Sequence, residues 1–149
     1  MNEATSSASR ERARRDRSSA RDVALAWLPA ALYMAIIWLV SSLEAPTFPT
    51  ASFPLRDKGV HAVEYGVLGF LLAHACLRTF RDRAAIRVAL FAVLAGVLWG
   101  VLDEIHQAFV PGRSADLLDL VADSVGIVVG TGARTLLHHL ARRAEPRPA

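Results

Sequence analysis

The feature that most constrains this chain is an apolar run without charges, directly after an arginine-rich segment. Residues 23–40 (VALAWLPAALYMAIIWLV) contain no Asp, Glu, Lys, Arg or His. A helix that crosses a hydrocarbon layer of roughly 30 Å needs about 20 residues, and about 17 suffice. Residues 1–22 carry six arginines and few apolar side chains. We therefore predict a disordered basic tail followed by a transmembrane helix.

A cleaved export signal is the alternative for this N-terminal pattern. The apolar run is longer than the usual core of about 7–15 residues, and no clear A-x-A cleavage site follows it. We predict an anchor that is not cleaved.

Three further segments are long and apolar enough to cross a membrane, at about residues 58–77, 87–109 and 115–140. Several prolines between the first two spans predict an irregular surface segment there, because proline interrupts a regular helix. The predicted fold is all-α, a four-helix transmembrane bundle formed by residues 23–140. Residues 141–149 form a short second tail.

The positive charges indicate how this bundle is oriented. One side of the membrane would hold thirteen arginines: six of the tail, four of the loop between the second and third spans, and three near the C-terminus. The other side would hold only Arg56, Lys58 and Arg113. Positive charge concentrates on the cytoplasmic side of membrane proteins. We predict that both termini are cytoplasmic. The same distribution argues for membrane lipids rather than nucleic acid as the partner of the basic segments.

This topology brings three sets of polar side chains to one membrane face, because the second and fourth helices begin there and the third ends there. Each set follows one face of its helix. A carboxylate at the centre of a span costs roughly 2.5–3.5 kcal/mol, so the three faces should point at each other. Acidic residues can also simply mark helix ends in water. The sets are Asp57, His61, Glu64 and Tyr65; Asp103, Glu104 and Gln107; and Asp116, Asp119 and Asp123.

Such a cluster suggests acid–base or ligand-binding chemistry. His61 could act as a general acid or base oriented by Glu64 or Asp103, while Lys58 and Arg113 could hold an anionic group. The candidate catalytic residues are His61, Glu64, Asp103 and Glu104, and the candidate ligand-binding residues are Lys58, Tyr65, Gln107, Arg113, Asp116 and Asp119. Alternatively, Mg²⁺ or Ca²⁺ could be held by Asp103, Glu104, Asp116 and Asp119, since hard cations prefer oxygen ligands.

Other features favour structural roles. Cys76 lies in an apolar stretch and is predicted to be a small buried hydrophobe. Glycine pairs at i and i+4 allow helices to approach closely in lipid. The histidines outside the three sets are predicted to pack or to lie at an interface. The glycine pairs are Gly96 with Gly100 and Gly126 with Gly130; the histidines are His74, His106, His138 and His139.

The polar motifs together resemble the VanZ-like family over roughly residues 25–135. They are Asp57-Lys58-x-x-His61-x-x-x-Tyr65, Asp103-Glu104-x-x-Gln107-x-Phe109-x-Pro111-Gly112-Arg113, Asp116-x-x-Asp119 and Gly126-x-x-x-Gly130. The resemblance implies a bacterial multi-pass protein of the cytoplasmic membrane, in a family with some members linked to teicoplanin-type glycopeptide resistance. Asp123 stands where this family commonly has Asn.

Three functions are compatible with the sequence. The first is a protein that binds or modifies a lipid-linked or phosphate-bearing cell-envelope component, or a glycopeptide, at the outer face. The second is a non-enzymatic scaffold or interaction protein, in which the polar cluster locks the bundle and presents the proline-rich loop, residues 41–56, to another envelope protein. The third is an ion-coupled transporter, which the apolar stretches 67–73 and 88–97 disfavour.

Overall fold

The computed structural model describes the backbone of residues 3–43 and 54–144, and the side chains of residues 20–43 and 58–144. Four helices make up this part of the chain: α1 (Glu3–Ser41), α2 (Pro54–Thr79), α3 (Ala85–Gln107) and α4 (Leu117–Ala144). The side chain of Asp57 lies outside the described residues, as do residues 44–53 of the proline-rich segment.

Each helix contains a stretch long and apolar enough to cross a membrane. The stretches are Ala20–Ser41, Lys58–Thr79, Ala85–Gln107 and Leu117–Ala144. The prediction of an all-α protein with four candidate spans is therefore confirmed. The helix α1 itself begins at Glu3, within the segment predicted to be a disordered tail. The character of that tail and the orientation of the bundle stay predictions.

The outer surface of the bundle is apolar, as a lipid-facing surface must be. Large aliphatic side chains on all four helices are more than half exposed although the helices pack together. In water such a surface would be an aggregation hazard, but in a bilayer it contacts acyl chains. Examples are Leu32, Val63, Leu94 and Val129.

The closest helix pair is α2 with α4, and glycines make this contact possible. A Cβ added at Gly126 would clash with the carbonyl oxygen of Ala62, and one added at Gly130 would clash with that of Gly66. Close backbone approach is the expected role of such small residues in membrane helices. It also lets Thr131 Oγ1 donate a hydrogen bond to Gly69 O at 3.2 Å. The α2–α4 pair is thus the most closely packed pair of helices in the bundle.

Apolar side chains fill the centre of the bundle around this pair. Leu68, Leu72 and Ile127 are almost fully buried, and Cys76 is buried among them as predicted. The helix α1 packs mainly on α2. Its indole Trp27 Nε1 donates to Thr79 Oγ1 at 2.9 Å near one end of the bundle.

The two ends of the bundle differ in charge. The carboxylate end is formed by the C-termini of α1 and α3, the start of α2 and the start of α4, and it holds the three polar sets. The arginine end is formed by the α2–α3 connection and the end of α4, and it carries Arg78, Arg81, Arg83, Arg87, Arg142 and Arg143.

Candidate functional site

The buried carboxylate of Asp103 is the hub of the carboxylate end. Asp103 is 3% exposed, and three helices supply its hydrogen-bond donors. Ser41 Oγ donates to Oδ1 at 2.5 Å, Tyr65 OH donates to Oδ2 at 3.1 Å, and Gln107 Nε2 donates to Oδ2 at 3.0 Å. A buried carboxylate needs such donors to offset its lost hydration. This hub ties α1, α2 and α3 together.

A second network joins α2 to α4 through charges. Lys58 Nζ lies 2.5 Å from both Asp116 Oδ2 and Asp119 Oδ1. The hydrogen bond from Lys58 holds the pKa of the Asp116 carboxyl below its ordinary value. Asp116 lies in the α3–α4 connection, just before α4 begins. Lys58 is thus engaged by two carboxylates of its own chain.

His61 stands between two aspartates of α4. Its Nδ1 is 3.0 Å from Asp123 Oδ1, and its Nε2 is 3.9 Å from Asp119 Oδ1. A carboxylate at hydrogen-bond distance from one ring nitrogen orients the imidazole and sets its tautomer. The orienting carboxylate at hydrogen-bond distance is Asp123, whereas the sequence suggests Glu64 or Asp103.

Two buried carboxylate oxygens have no hydrogen-bond partner among the described residues. They are Glu104 Oε1 and Asp123 Oδ2. The other oxygen of Glu104, Oε2, accepts the backbone N–H of Asp116 at 2.8 Å. Leaving a buried acceptor without a donor costs about 1–3 kcal/mol. These two oxygens are therefore places for a proton or for a ligand donor.

A cavity lies beside Glu104 between α3 and α4. Its volume is about 470 Å³, and Glu104 and Asp116 are the acidic residues in a lining that is otherwise apolar, with Val101, Ile105, Phe109 and Leu120 among its walls. The cavity therefore combines a mostly apolar lining with two acidic residues, a composition suited to an amphiphile.

The VanZ/LLP1 family model matches residues 4–138, which include every element of this site. The chain belongs to the VanZ/LLP1 family. Comparison with curated proteins and with solved structures finds no match. The family membership and the four candidate spans together make the chain a multi-pass VanZ/LLP1 membrane protein.

Most of the residues expected from the sequence meet in this VanZ/LLP1 bundle, but two of them lie apart from the networks. Arg113 donates from Nε to Leu43 O at 3.1 Å and from a terminal nitrogen to Val40 O at 3.4 Å. These bonds satisfy carbonyls at the C-terminus of α1, where a cation is also favourable for the helix dipole. Glu64 lines a separate cavity of about 600 Å³ between α1 and α2, beside Tyr33.

The structure adds residues that the sequence analysis did not select. Ser41 donates a hydrogen bond to Asp103. Its position directly after the first apolar run is the only indication of this in the sequence. Ser42 Oγ lies 2.9 Å from His106 Nε2, and the His106 ring stacks on Trp38 with centroids 4.0 Å apart. Ser42 also donates to Trp38 O at 2.6 Å, so its proton is directed to a carbonyl rather than to the imidazole.

The carboxylates do not gather around a single point in the part of the VanZ/LLP1 chain that the structure describes. No three His, Cys, Asp or Glu side chains there are arranged to hold a metal ion. Lys58 occupies the position between Asp116 and Asp119 that a cation would take. The suggested Mg²⁺ or Ca²⁺ site therefore has no support in this geometry.

Proposed function

We propose that this VanZ/LLP1 protein binds a cell-envelope component at its carboxylate end, which faces outward from the bacterial cytoplasmic membrane. The ligand that fits best carries ammonium, hydroxyl or amide donors on an apolar body. The two buried carboxylate oxygens without partners, Glu104 Oε1 and Asp123 Oδ2, carry the proposal, because they can accept hydrogen bonds that the described residues do not supply.

The charges of the site support a donor-rich ligand over one recognised by its phosphate. Among the described side chains, the carboxylate end contains six carboxylates, whereas its two permanent cations are engaged within the protein: Lys58 by Asp116 and Asp119, and Arg113 by the carbonyls of α1. An anionic group would meet repulsion from these carboxylates. An ammonium group would meet attraction. These six carboxylates are Glu64, Asp103, Glu104, Asp116, Asp119 and Asp123.

His61 supports an additional role in proton transfer. It stands between Asp123 and Asp119, a setting in which an imidazole can pass a proton between a ligand and a carboxylate. Modification of the bound component by acid–base chemistry is a natural extension of binding at this site.

Binding assays with chemically distinct probes test the proposal. We would measure binding of teicoplanin, of an undecaprenyl-linked peptidoglycan precursor and of undecaprenyl phosphate to the purified full-length protein. We expect the first two to bind more tightly than undecaprenyl phosphate, because they carry amine and amide donors.

Charge-neutral substitutions locate the binding site. Glu104→Gln keeps an oxygen for the Asp116 N–H but replaces the unpartnered oxygen by a donor, so binding should weaken about tenfold, as expected for loss of one charge-assisted hydrogen bond. Asp82→Asn at the arginine end is the matched control and should bind as wild type. Equal affinity of Glu104→Gln and wild type for all three probes would exclude binding at Glu104.

Cysteine labelling tests the orientation. In a Cys76→Ala background, single cysteines at Ser114 and Asp82 report the two ends of the bundle. A maleimide that does not cross membranes should label position 114 in intact cells and position 82 only after lysis. The reverse pattern would place the carboxylate end in the cytoplasm and contradict the proposal.

A purely structural function for the cluster is the second candidate, and the networks that tie all four helices together favour it. This scaffold hypothesis predicts that exchanging charges, as in Lys58→Asp combined with Asp119→Lys, restores what each single substitution loses. A ligand-binding site that uses Asp119 would stay inactive in the double variant even when folding recovers.

A further inference from the structure

We propose that the arginine end of the bundle contains a second site, which binds a phosphate group. This inference is independent of the function proposed for the carboxylate end. The site is a cavity of about 440 Å³ between the end of α2, the α2–α3 connection and the end of α4. Two histidines of α4 line it together with five arginines, Arg78, Arg81, Arg83, Arg134 and Arg142.

The cavity has no negative charge of its own. None of its lining residues is Asp or Glu. Among the described side chains, the ion pairs involve Lys58 and His61 at the opposite end of the bundle, so the lining arginines have no carboxylate partner there. Five guanidinium groups around one concavity repel each other, and an anion between them would remove that repulsion.

Arg134 makes this cavity more than a basic surface. It is partly buried and lies about two turns nearer the centre of α4 than Arg142, which also lines the cavity. Partial burial of a charged side chain is costly, and such side chains often serve a binding function. Its neighbour is His74, whose Nδ1 accepts from Arg134 Nε at 3.3 Å. That bond requires an unprotonated Nδ1, so His74 orients the guanidinium without neutralising it.

The α2–α3 connection directs further donors to the same place. Arg83 N donates to Phe80 O at 3.1 Å in a tight turn. Within this turn, Arg81 Nε donates to Arg78 O at 3.0 Å, which folds the Arg81 side chain back along the connection. Its terminal nitrogens remain available as donors.

Phosphate is the anion that suits this arrangement. A guanidinium presents parallel N–H donors that match two phosphate oxygens, and arginine clusters are the usual phosphate sites in proteins. The apolar wall of the cavity, with Leu77, Phe80 and Ala85, lies where two candidate spans end. A phospholipid headgroup reaches this depth, and so does a soluble phosphate compound.

Membrane insertion alone does not explain these features. The positive-inside bias accounts for arginines near the ends of spans. It requires neither a concave arrangement nor a partly buried guanidinium bonded to a histidine.

The test compares two phosphate sources on the full-length protein. In the lipid arm, the purified protein is equilibrated with mixed micelles of phosphatidylglycerol and phosphatidylcholine, and retained lipid is quantified by native mass spectrometry. In the soluble arm, inorganic pyrophosphate is titrated against the protein in phosphatidylcholine nanodiscs. The variants are Arg134→Gln and Arg83→Gln, with Arg143→Gln as a matched control, because Arg143 does not line the cavity.

We expect retention of phosphatidylglycerol over phosphatidylcholine, weakened about tenfold by Arg134→Gln or Arg83→Gln and unchanged by Arg143→Gln, as for loss of one charge-assisted hydrogen bond. If pyrophosphate binding is weakened by the same two variants and not by Arg143→Gln, the ligand is a soluble phosphate. If Arg134→Gln does not fold, the variant at the exposed Arg83 provides the test instead. The proposal is overturned if Arg143→Gln weakens binding as much as the two cavity variants, or if neither arm shows binding.

Discussion

The close contact of α2 with α4 makes a sharp prediction about Gly130. In Gly130→Ala, the new Cβ would lie 2.8 Å from Gly66 C and 3.0 Å from Phe70 N, and closer still to Gly66 O. All three are backbone atoms, so no side-chain rotation can make room. Carbon atoms pack at about 3.5–4.0 Å, so the two helices must separate by about 1 Å.

The cost of this separation can be worked out from its parts. Overpacking of a well-packed contact costs typically about 1–3 kcal/mol. The bond from Thr131 Oγ1 to Gly69 O is already 3.2 Å long and would be lost, at about 0.5–1.5 kcal/mol. Alanine also favours a helix over glycine by about 1 kcal/mol, which offsets part of this cost. We therefore expect Gly130→Ala to destabilise the protein by about 0.5–3.5 kcal/mol.

Gly132→Ala is the matched control on the same helix. A Cβ at Gly132 has no atom within 4 Å. Alanine favours a helix over glycine by about 1 kcal/mol, so this variant should be as stable as wild type or more stable. Both variants would be unfolded with sodium dodecyl sulfate in mixed micelles and followed by circular dichroism. Equal stability of the two variants would refute the close α2–α4 contact on which the site depends.

Two further predictions concern the polar networks. Ser41→Ala removes a donor to the buried Asp103 carboxylate and should destabilise the protein by about 1.5–3 kcal/mol in the same assay. The control Ser42→Ala, at the exposed neighbouring residue, should destabilise it less. The reverse order would contradict the assignment of Ser41. Because Lys58 lowers the pKa of Asp116, the stability from this pair is present above the ordinary carboxyl pKa and is lost as the pH falls through the lowered value. The melting temperature of Lys58→Gln should therefore lie furthest below that of wild type at neutral pH. Below about pH 4 the two melting temperatures should approach each other. A difference in melting temperature that does not depend on pH would contradict the ion pair.

The sequence predicted most about each helix taken by itself: where it spans the membrane and which residues share one of its faces. Residues 23–40 are free of charge, and the candidate span Ala20–Ser41 contains all of them. The spacing of Lys58, His61 and Tyr65 places them on one face of α2, and in the structure all three contact polar residues of α3 or α4. Helical periodicity and the lipid environment are local constraints, which is why a single sequence contains them.

The tertiary structure decided which polar groups bond to each other. His61 contacts Asp123, whereas Asp103 accepts hydrogen bonds from Ser41 and Tyr65. Arg113 donates to carbonyls at the end of α1. These pairings depend on how far each helix is rotated and how closely it approaches its neighbour. For α2 and α4, the glycines at their contact allow the close approach. Sequence spacing gives the depth and the face of a residue on its own helix. The choice of partner across helices comes only from packing.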